Sequence, residues 1–140
     1  MNAATIARAD FGLLALRVVT GIVFAAHGWQ KFFQMGLDGV TGFFTSLGIP
    51  MAGIAAPAVA TLELAGGILL ILGLLTRPLG ILFALNMAGA IFFAKARGGF
   101  FSPGGIEFEL LLLAASLCLA MAGPGAWAVD RNIEARRRLP

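Results

Sequence analysis

Five polar side chains lie within or beside otherwise apolar stretches of this sequence, and they are the residues that could carry chemistry. They are His27, Lys31, Glu63, Asn86 and Glu107. An ionisable side chain inside a long apolar segment is costly to keep there, and by default it indicates a functional site. A carboxylate, an imidazole and an ammonium group placed together can hydrogen-bond a ligand and exchange protons with it. The five residues are therefore candidates for a ligand or proton site.

The elements that must position these residues are membrane-spanning helices. The chain has 140 residues, of which 59 % are hydrophobic and 12 % are charged, with a mean hydropathy of +0.93. A soluble domain usually carries about 25 % charged residues, so most of this surface must face lipid or other helices. The sequence predicts an all-α, polytopic membrane protein whose single domain, 1–140, is a four-transmembrane-helix bundle.

The predicted spans cover about 11–33, 57–75, 79–95 and 106–122. The first begins after Asp10, a suitable N-cap, and is too long for the core of a signal peptide. Between the first two spans, the apolar residues of 40–47 have helical spacing, which is typical of a short interfacial helix. In the third span, Gly80, Ala84 and Ala88 recur every four residues and would let another helix approach closely.

The basic residues predict the orientation of the spans, because Lys and Arg are enriched beside spans on the cytoplasmic side. With four spans both termini share one side, and the basic residues expected there are Arg8, Arg17, Arg77, Arg131, Arg136, Arg137 and Arg138. The basic residues expected on the other side are Lys31, Lys95 and Arg97. This excess predicts that both termini are cytoplasmic.

Helix rise places most of the candidate residues in one layer of the outer half of the bilayer. Counted from the span ends on the side of the termini, His27 and Glu107 lie roughly 24 Å and Glu63 roughly 20 Å into the membrane. Lys31 lies near the far boundary of a hydrocarbon core about 30 Å thick, and its stem can bend back to pair with Glu63 or Glu107. Asn86 lies deeper, at roughly 12 Å.

Each candidate also has a purely structural interpretation. Lys31 could be an interfacial anchor, Glu107 a carboxylate at a helix N-terminus, and Asn86 a link between helices. Arg17 is expected to snorkel to the polar surface. Glu107 and Glu109 lie about 200° apart around a helix, so only one of them easily faces the bundle.

Composition excludes several classes of site. The net charge of +3 does not indicate nucleic-acid binding, because the basic residues cluster at the ends of apolar segments. One histidine excludes bis-histidine haem within a protomer, and one cysteine, Cys118, excludes an iron–sulfur cluster. Cys118 is predicted to be a small buried hydrophobe. We expect no covalently bound cofactor and no metal, whereas a quinone needs only an apolar slot with a few polar groups.

Several short motifs, in a fixed order, resemble those of the DoxX family of small bacterial membrane proteins over about residues 10–132. They are His27-Gly28-Trp29-Gln30-Lys31, Gly48-Ile49-Pro50, Glu63-Leu64-Ala65-Gly66-Gly67 and Gly104-Gly105-Ile106-Glu107-Phe108. The resemblance implies a four-helix protein of the bacterial inner membrane. Relatives include a subunit of an archaeal thiosulfate:quinone oxidoreductase and a mycobacterial membrane partner in oxidative-stress defence, so it also implies redox partners.

Three functions are compatible with the polar layer. We favour an accessory subunit of a redox system, in which the layer binds a quinone or a small sulfur compound between walls formed by Phe24, Phe44 and Phe108. Such a chain would belong to a quinone-linked oxidoreductase, whether or not it is catalytic by itself. The alternatives are a small proton-coupled transporter, with Glu63 as its proton site, and a membrane scaffold for partner proteins. Besides the lipid bilayer, the expected partners are redox proteins or a second copy of the chain.

Overall fold

The computed structural model describes residues 3–101 and 103–137, which are helical and contain no strand. The helices are α1 (Ala3–Trp29), α2 (Leu37–Ser46), α3 (Ala52–Leu72), α4 (Thr76–Lys95), α5 (Glu107–Ala122) and α6 (Val129–Arg137). π-helical turns form the continuation of α1 (Gln30–Met35), the middle of α3 (Leu62–Gly66) and the end of α4 (Ile91–Lys95). The all-α prediction is confirmed. The side chains of Arg136–Arg138 lie outside the described residues.

Three of these helices are long and apolar enough to cross a membrane. They are α1 with its π-helical turn, over Ala4–Met35, and the whole of α3 and α4. The next helix, α5, has 16 residues. At about 24 Å it is shorter than a hydrocarbon core of about 30 Å. The structure thus shows the apolar helices of a membrane protein, with three candidate spans in the part of the chain that it describes.

The connection between α3 and α4 lies earlier in the chain than the sequence predicted. α3 contains Pro57, the predicted start, and ends at Leu72 rather than at residue 75. It ends there because Gly73 has a φ of +74°, a left-handed conformation that favours glycine. α4 then begins at Thr76, so Pro78 lies in the first helical turn, where its missing amide hydrogen is tolerated.

Glycines allow the long helices to pack in two close pairs. A Cβ at Gly28 of α1 would collide with the backbone of Leu64 in α3, and one at Gly67 would lie 2.5 Å from the Ala25 amide. In the second pair, a Cβ at Gly80 of α4 would lie 2.7 Å from the Ala120 amide of α5. The predicted close approach at Gly80 is therefore confirmed.

The core of the bundle lies where the two helix pairs meet. The rings of Phe24 from α1 and Phe83 from α4 stack with centroids 3.8 Å apart. Leu70 of α3 and Leu119 of α5 complete this buried cluster. Cys118, the neighbour of Leu119, is exposed on the outer face of α5, so its predicted burial is wrong. Successive helical residues lie about 100° apart, and the bundle contact of Leu119 turns Cys118 outward.

Arg17 ties together the end of the bundle at which the first and last described residues lie, hereafter the terminal end. Its side chain is 1 % exposed, and its guanidinium donates to the carbonyls of Leu70 (3.3 Å), Ile71 (3.1 Å) and Trp127 (2.7 Å). The predicted snorkelling to a polar surface is wrong. The last carbonyls of a helix lack amide donors from a following turn. The guanidinium supplies donors to Ile71 and to Leu70, whose carbonyl also accepts from the Gly73 amide.

Two aspartates hold the segment after α5 against the terminal end. The Asp130 carboxylate accepts hydrogen bonds from the amides of Leu75 and Thr76, each at 2.9 Å, and so caps the start of α4. Asp10 accepts a hydrogen bond from the Ala126 amide at 3.0 Å. α1 begins well before Asp10, so the prediction that this residue is the N-cap of the first helix is wrong.

Candidate functional site

A cavity of about 640 Å³ lies at the opposite end of the bundle from the termini. α3 and α4 contact each other near their connection and separate beyond it, and the cavity occupies the space between them. α2 lies across this space because Val40 and Phe44 pack on Ala56 of α3. The aromatic side chains that line the cavity are Phe24, Phe43, Phe44, Phe93 and Phe108. They include the three phenylalanines that the sequence analysis proposed as walls.

The deep part of the cavity holds three of the predicted site residues in direct contact. Lys31 Nζ donates to Glu63 Oε2 at 2.5 Å, and Asn86 Nδ2 donates to Glu63 Oε1 at 3.0 Å. The Glu63 side chain is 5 % exposed and that of Lys31 is 18 % exposed. The sequence predicted that Lys31 pairs with Glu63 or with Glu107, and in the structure it pairs with Glu63. A carboxylate inside an apolar span thus has one partner on each side.

The contact between Glu63 and Asn86 corrects the predicted depths of these residues. The sequence placed them roughly 20 Å and 12 Å from the ends of their spans, too far apart to bond. Counted from the true ends at Leu72 and Thr76, Glu63 lies about 14 Å and Asn86 about 15 Å from the terminal end. The earlier turn at Gly73 therefore brings the two side chains to one level. Asn86 both joins α3 to α4 and lines the cavity.

A second pair of charged residues lines the same cavity and was not among the predicted site residues. Lys95 Nζ, at the end of α4, lies 3.7 Å from Glu109 Oε1 in the first turn of α5. Their side chains are 29 % and 14 % exposed. Of the two glutamates at this helix start, Glu109 lines the cavity and the predicted Glu107 is not among its lining residues. The sequence left open which of Glu107 and Glu109 faces the bundle, and its only signal for Lys95 was a charge at the end of an apolar segment.

His27 lines the cavity from α1 and contacts α5. Its Nδ1 lies 2.9 Å from the Val23 carbonyl oxygen, which can only accept, so Nδ1 carries the hydrogen. Nε2 is then the ring nitrogen that can meet a ligand, as an acceptor in the neutral form. The imidazole packs beside the Phe108 ring with centroids 5.7 Å apart. This contact places His27 beside the first turn of α5, and the next residue, Gly28, packs on Leu64 beside Glu63.

The three π-helical turns each contain one charged residue of the cavity, namely Lys31, Glu63 and Lys95. A π-helical turn carries an extra residue and therefore re-aims the side chains that follow it. Such turns are rare, and they are frequent at functional sites. Their placement here was not predicted, because no residue pattern in a single apolar sequence marks a π-helical turn.

The cavity opens towards the surface that faces lipid. Two residues of its lining, Leu85 on α4 and Phe43 on α2, are 65 % and 48 % exposed on the outside of the bundle. Phe108 of α5 is also exposed at its rim. The cavity can therefore be entered from the outer surface of the bundle past apolar side chains.

The chain is similar to a set of bacterial membrane proteins. The DoxX family model matches residues 12–96. The protein named "Putative oxidoreductase CatD" of Bacillus subtilis is 44 % identical over 121 residues, covering 86 % of each chain. "Inner membrane protein YphA" of Escherichia coli is 34 % identical over 135 residues, covering 88 % of this chain and 95 % of its own length. "Inner membrane protein YqjF" of the same organism is 31 % identical over 124 residues, covering 87 % and 92 %. No solved structure matches the chain significantly.

Proposed function

Because this chain belongs to the DoxX family of membrane proteins, we propose that it is an accessory membrane subunit of a redox system and binds a quinone in the cavity. The observation that carries the proposal is the position of Glu63. It lies inside an apolar span, bonded to Lys31 and Asn86, beside a cavity that lipid-soluble molecules can enter. A stability role alone would not require a cavity next to such a costly group.

The cavity suits a quinone in size, walls and polar groups. Ligand sites for small molecules usually measure about 300–1,000 Å³, with apolar walls and a few polar groups that fix orientation. Phenylalanine rings can stack on a flat quinone ring. Lys31, Asn86 and Lys95 are hydrogen-bond donors for its carbonyl oxygens. A small sulfur compound would leave most of the aromatic wall unused, so we favour the quinone.

The proposed chemistry needs a partner protein. Reduction of a quinone to the quinol consumes two electrons and two protons. We assign the electrons to a redox-active partner protein, and the protons to the ionisable side chains that line the cavity. The name of the Bacillus subtilis relative, an oxidoreductase, supports a role in a redox system.

We further propose that α5 is a fourth crossing and that α2 lies in the membrane interface. α5 packs on α4 over residues 76–90, with Gly80 in close contact with Ala120, so we place the two helices at the same depth of the bilayer. α2 buries Val40 and Phe44 on α3 and leaves Asp38 exposed, as an interfacial helix would. With the terminal end in the cytoplasm, the excess of arginines there satisfies the charge rule.

Mass spectrometry of an organic extract of the purified protein tests the ligand directly. We expect about one quinone per chain, lost in Glu63→Gln and in His27→Ala, because the first weakens the pair with Lys31 and the second removes a wall of the cavity. Asp38→Asn, which neutralises an exposed carboxylate outside the cavity, is the matched control and should retain the quinone. Thermal unfolding in the same detergent verifies that each variant is folded. A folded wild-type protein that carries no quinone would contradict the proposal.

A further inference from the structure

We infer that the pair of Lys95 and Glu109 selects the reduced, hydroxyl-bearing form of the ligand, and that Glu109 is the residue that distinguishes quinol from quinone. This inference rests on the proposed function and assigns a role to two residues of the same cavity. The two carboxylates that line the cavity, those of Glu63 and Glu109, differ in their hydrogen bonds.

The carboxylate of Glu63 already has its hydrogen-bond partners within the protein. Oε2 accepts from Lys31 at 2.5 Å and Oε1 accepts from Asn86 at 3.0 Å. Its charge is matched by Lys31, and both donors lie on helices that pack against α3. Glu63 therefore holds Lys31 and Asn86 in place, and we regard it as a positioning residue for these two donors.

The carboxylate of Glu109 is incompletely bonded within the described part of the chain. Oε1 lies 3.7 Å from Lys95 Nζ, which is an ion pair but too long for a hydrogen bond. Oε2 is buried and has no hydrogen-bond partner there. A buried acceptor without a donor is destabilising, and more so when it is charged. The site can recover this cost by binding a molecule that supplies a donor.

A quinol has a hydroxyl hydrogen that it can donate to the Glu109 carboxylate, and a quinone has none. A hydroxyl group can donate to the Glu109 carboxylate while its oxygen accepts a hydrogen bond from Lys95. A quinone carbonyl can accept from Lys95 but has no hydrogen for the carboxylate. Hydrogen bonds to a charged acceptor are roughly twice as strong as neutral ones. Glu109 therefore adds to the binding free energy of the quinol and not to that of the quinone.

The geometry of α4 separates this pair from the deep polar group. Asn86 and Lys95 are nine residues apart on that helix, about 14 Å along its axis. The cavity therefore has polar groups at two levels, with Phe24 and Phe108 among the aromatic rings that line it. A quinol carries its two oxygens on opposite edges of a flat ring. We place one of these oxygens at the level of Lys95 and Glu109, where the pair can distinguish a hydroxyl group from a carbonyl group.

Equilibrium binding of decylubiquinone and of decylubiquinol to the purified protein, with oxygen excluded, tests the inference. We expect Glu109→Gln to weaken quinol binding about fivefold to tenfold and to leave quinone binding within about twofold, because only the quinol uses the charged acceptor. Lys95→Met should weaken both forms. Glu107→Gln is the matched control, since it neutralises a carboxylate in the same helical turn whose side chain is not among those lining the cavity, and it should change neither affinity.

The preference for quinol over quinone, rather than affinity alone, decides the outcome. If Glu109→Gln weakens both forms equally, or neither, Glu109 does not select the quinol, although the proposed function stands. If the folded wild-type protein binds neither form, the proposed function fails and this inference fails with it. Glu109→Met provides a second comparison if the Gln variant does not fold, as judged by thermal unfolding in the same detergent.

Discussion

The single charged side chain deep inside α3 is tolerated because its surroundings satisfy it. Glu63 has a cation from α1 on one oxygen and an amide from α4 on the other. An unpaired carboxylate at this depth would face apolar side chains and lipid, which is expensive. The ion pair therefore offsets the cost of the buried carboxylate between three helices and keeps polar groups at the wall of a cavity.

The stability of this pair depends on both partners. Lys31→Met should lower the free energy of unfolding by about 1–3 kcal/mol, because it leaves the Glu63 carboxylate buried without its cation. Replacing both residues, Lys31→Met with Glu63→Met, should restore stability to within about 1 kcal/mol of wild type, since no unpaired charge remains. Denaturant unfolding in detergent micelles measures both. A double variant less stable than the single one would show that the pair is not the source of the effect.

Among the helices, close packing depends on a few glycines whose positions face a neighbouring backbone. Gly28 and Gly67 bring α1 against α3, and Gly80 brings α4 against α5. Without a strong hydrophobic drive between helices in lipid, van der Waals contact at small residues is a main source of association. This packing also positions the site, because Lys31 lies one turn beyond Gly28 and reaches Glu63 only when α1 lies close to α3.

Gly28→Ala should therefore destabilise the protein, whereas Gly12→Ala on the same helix should not. A Cβ at residue 28 would collide with the backbone of Leu64, but one at residue 12 would meet no atom within 4 Å. Overpacking usually lowers the free energy of unfolding by about 1–3 kcal/mol. Alanine has a better helix propensity than glycine, so propensity alone would stabilise both variants. Thermal unfolding of the two variants in detergent is the measurement. Equal midpoints for the two variants would rule out a close contact at Gly28.

The whole molecule consists of two helix pairs that are joined firmly at the terminal end and diverge at the other. Arg17, Asp130 and Asp10 bond α1, α3, α4 and the segment after α5 to one another at the terminal end. Beyond the hydrogen bond between Asn86 and Glu63, α3 and α4 diverge towards the opposite end, and the cavity forms between them. A firmly bonded terminal end and an open opposite end suit a site that exchanges its ligand with lipid.

The proposed topology predicts which surfaces a membrane-impermeant maleimide can label. In a Cys118→Ser background, which removes the exposed native thiol, Asp38→Cys should be labelled in intact spheroplasts. Asn132→Cys, an exposed position on α6, should be labelled only after the membrane is permeabilised. Labelling of Asn132→Cys alone in intact spheroplasts would reverse the orientation, and labelling of both would contradict an even number of crossings.

The sequence by itself determined the physical class of the protein and its foremost polar residue. Charges are sparse and apolar runs are long, so helices in a bilayer are the structures that can satisfy the backbone. Glu63 stands out in the sequence because a carboxylate inside such a run is costly unless a partner or a ligand meets it. Gly80 was interpreted correctly because a glycine admits a neighbouring helix through its own missing side chain.

Only the tertiary structure decided which side chains meet. The level of a residue depends on where its helix ends, and a connection at residues 73–75 instead of 76–78 was enough to bring Asn86 to Glu63. The direction of a side chain changes by about 100° per residue, so the packing of α5 and the π-helical turns decided between Glu107 and Glu109. The partners of Arg17 could not be predicted either, because they are backbone carbonyls. Every residue has a carbonyl, so the sequence does not indicate which ones an arginine bonds.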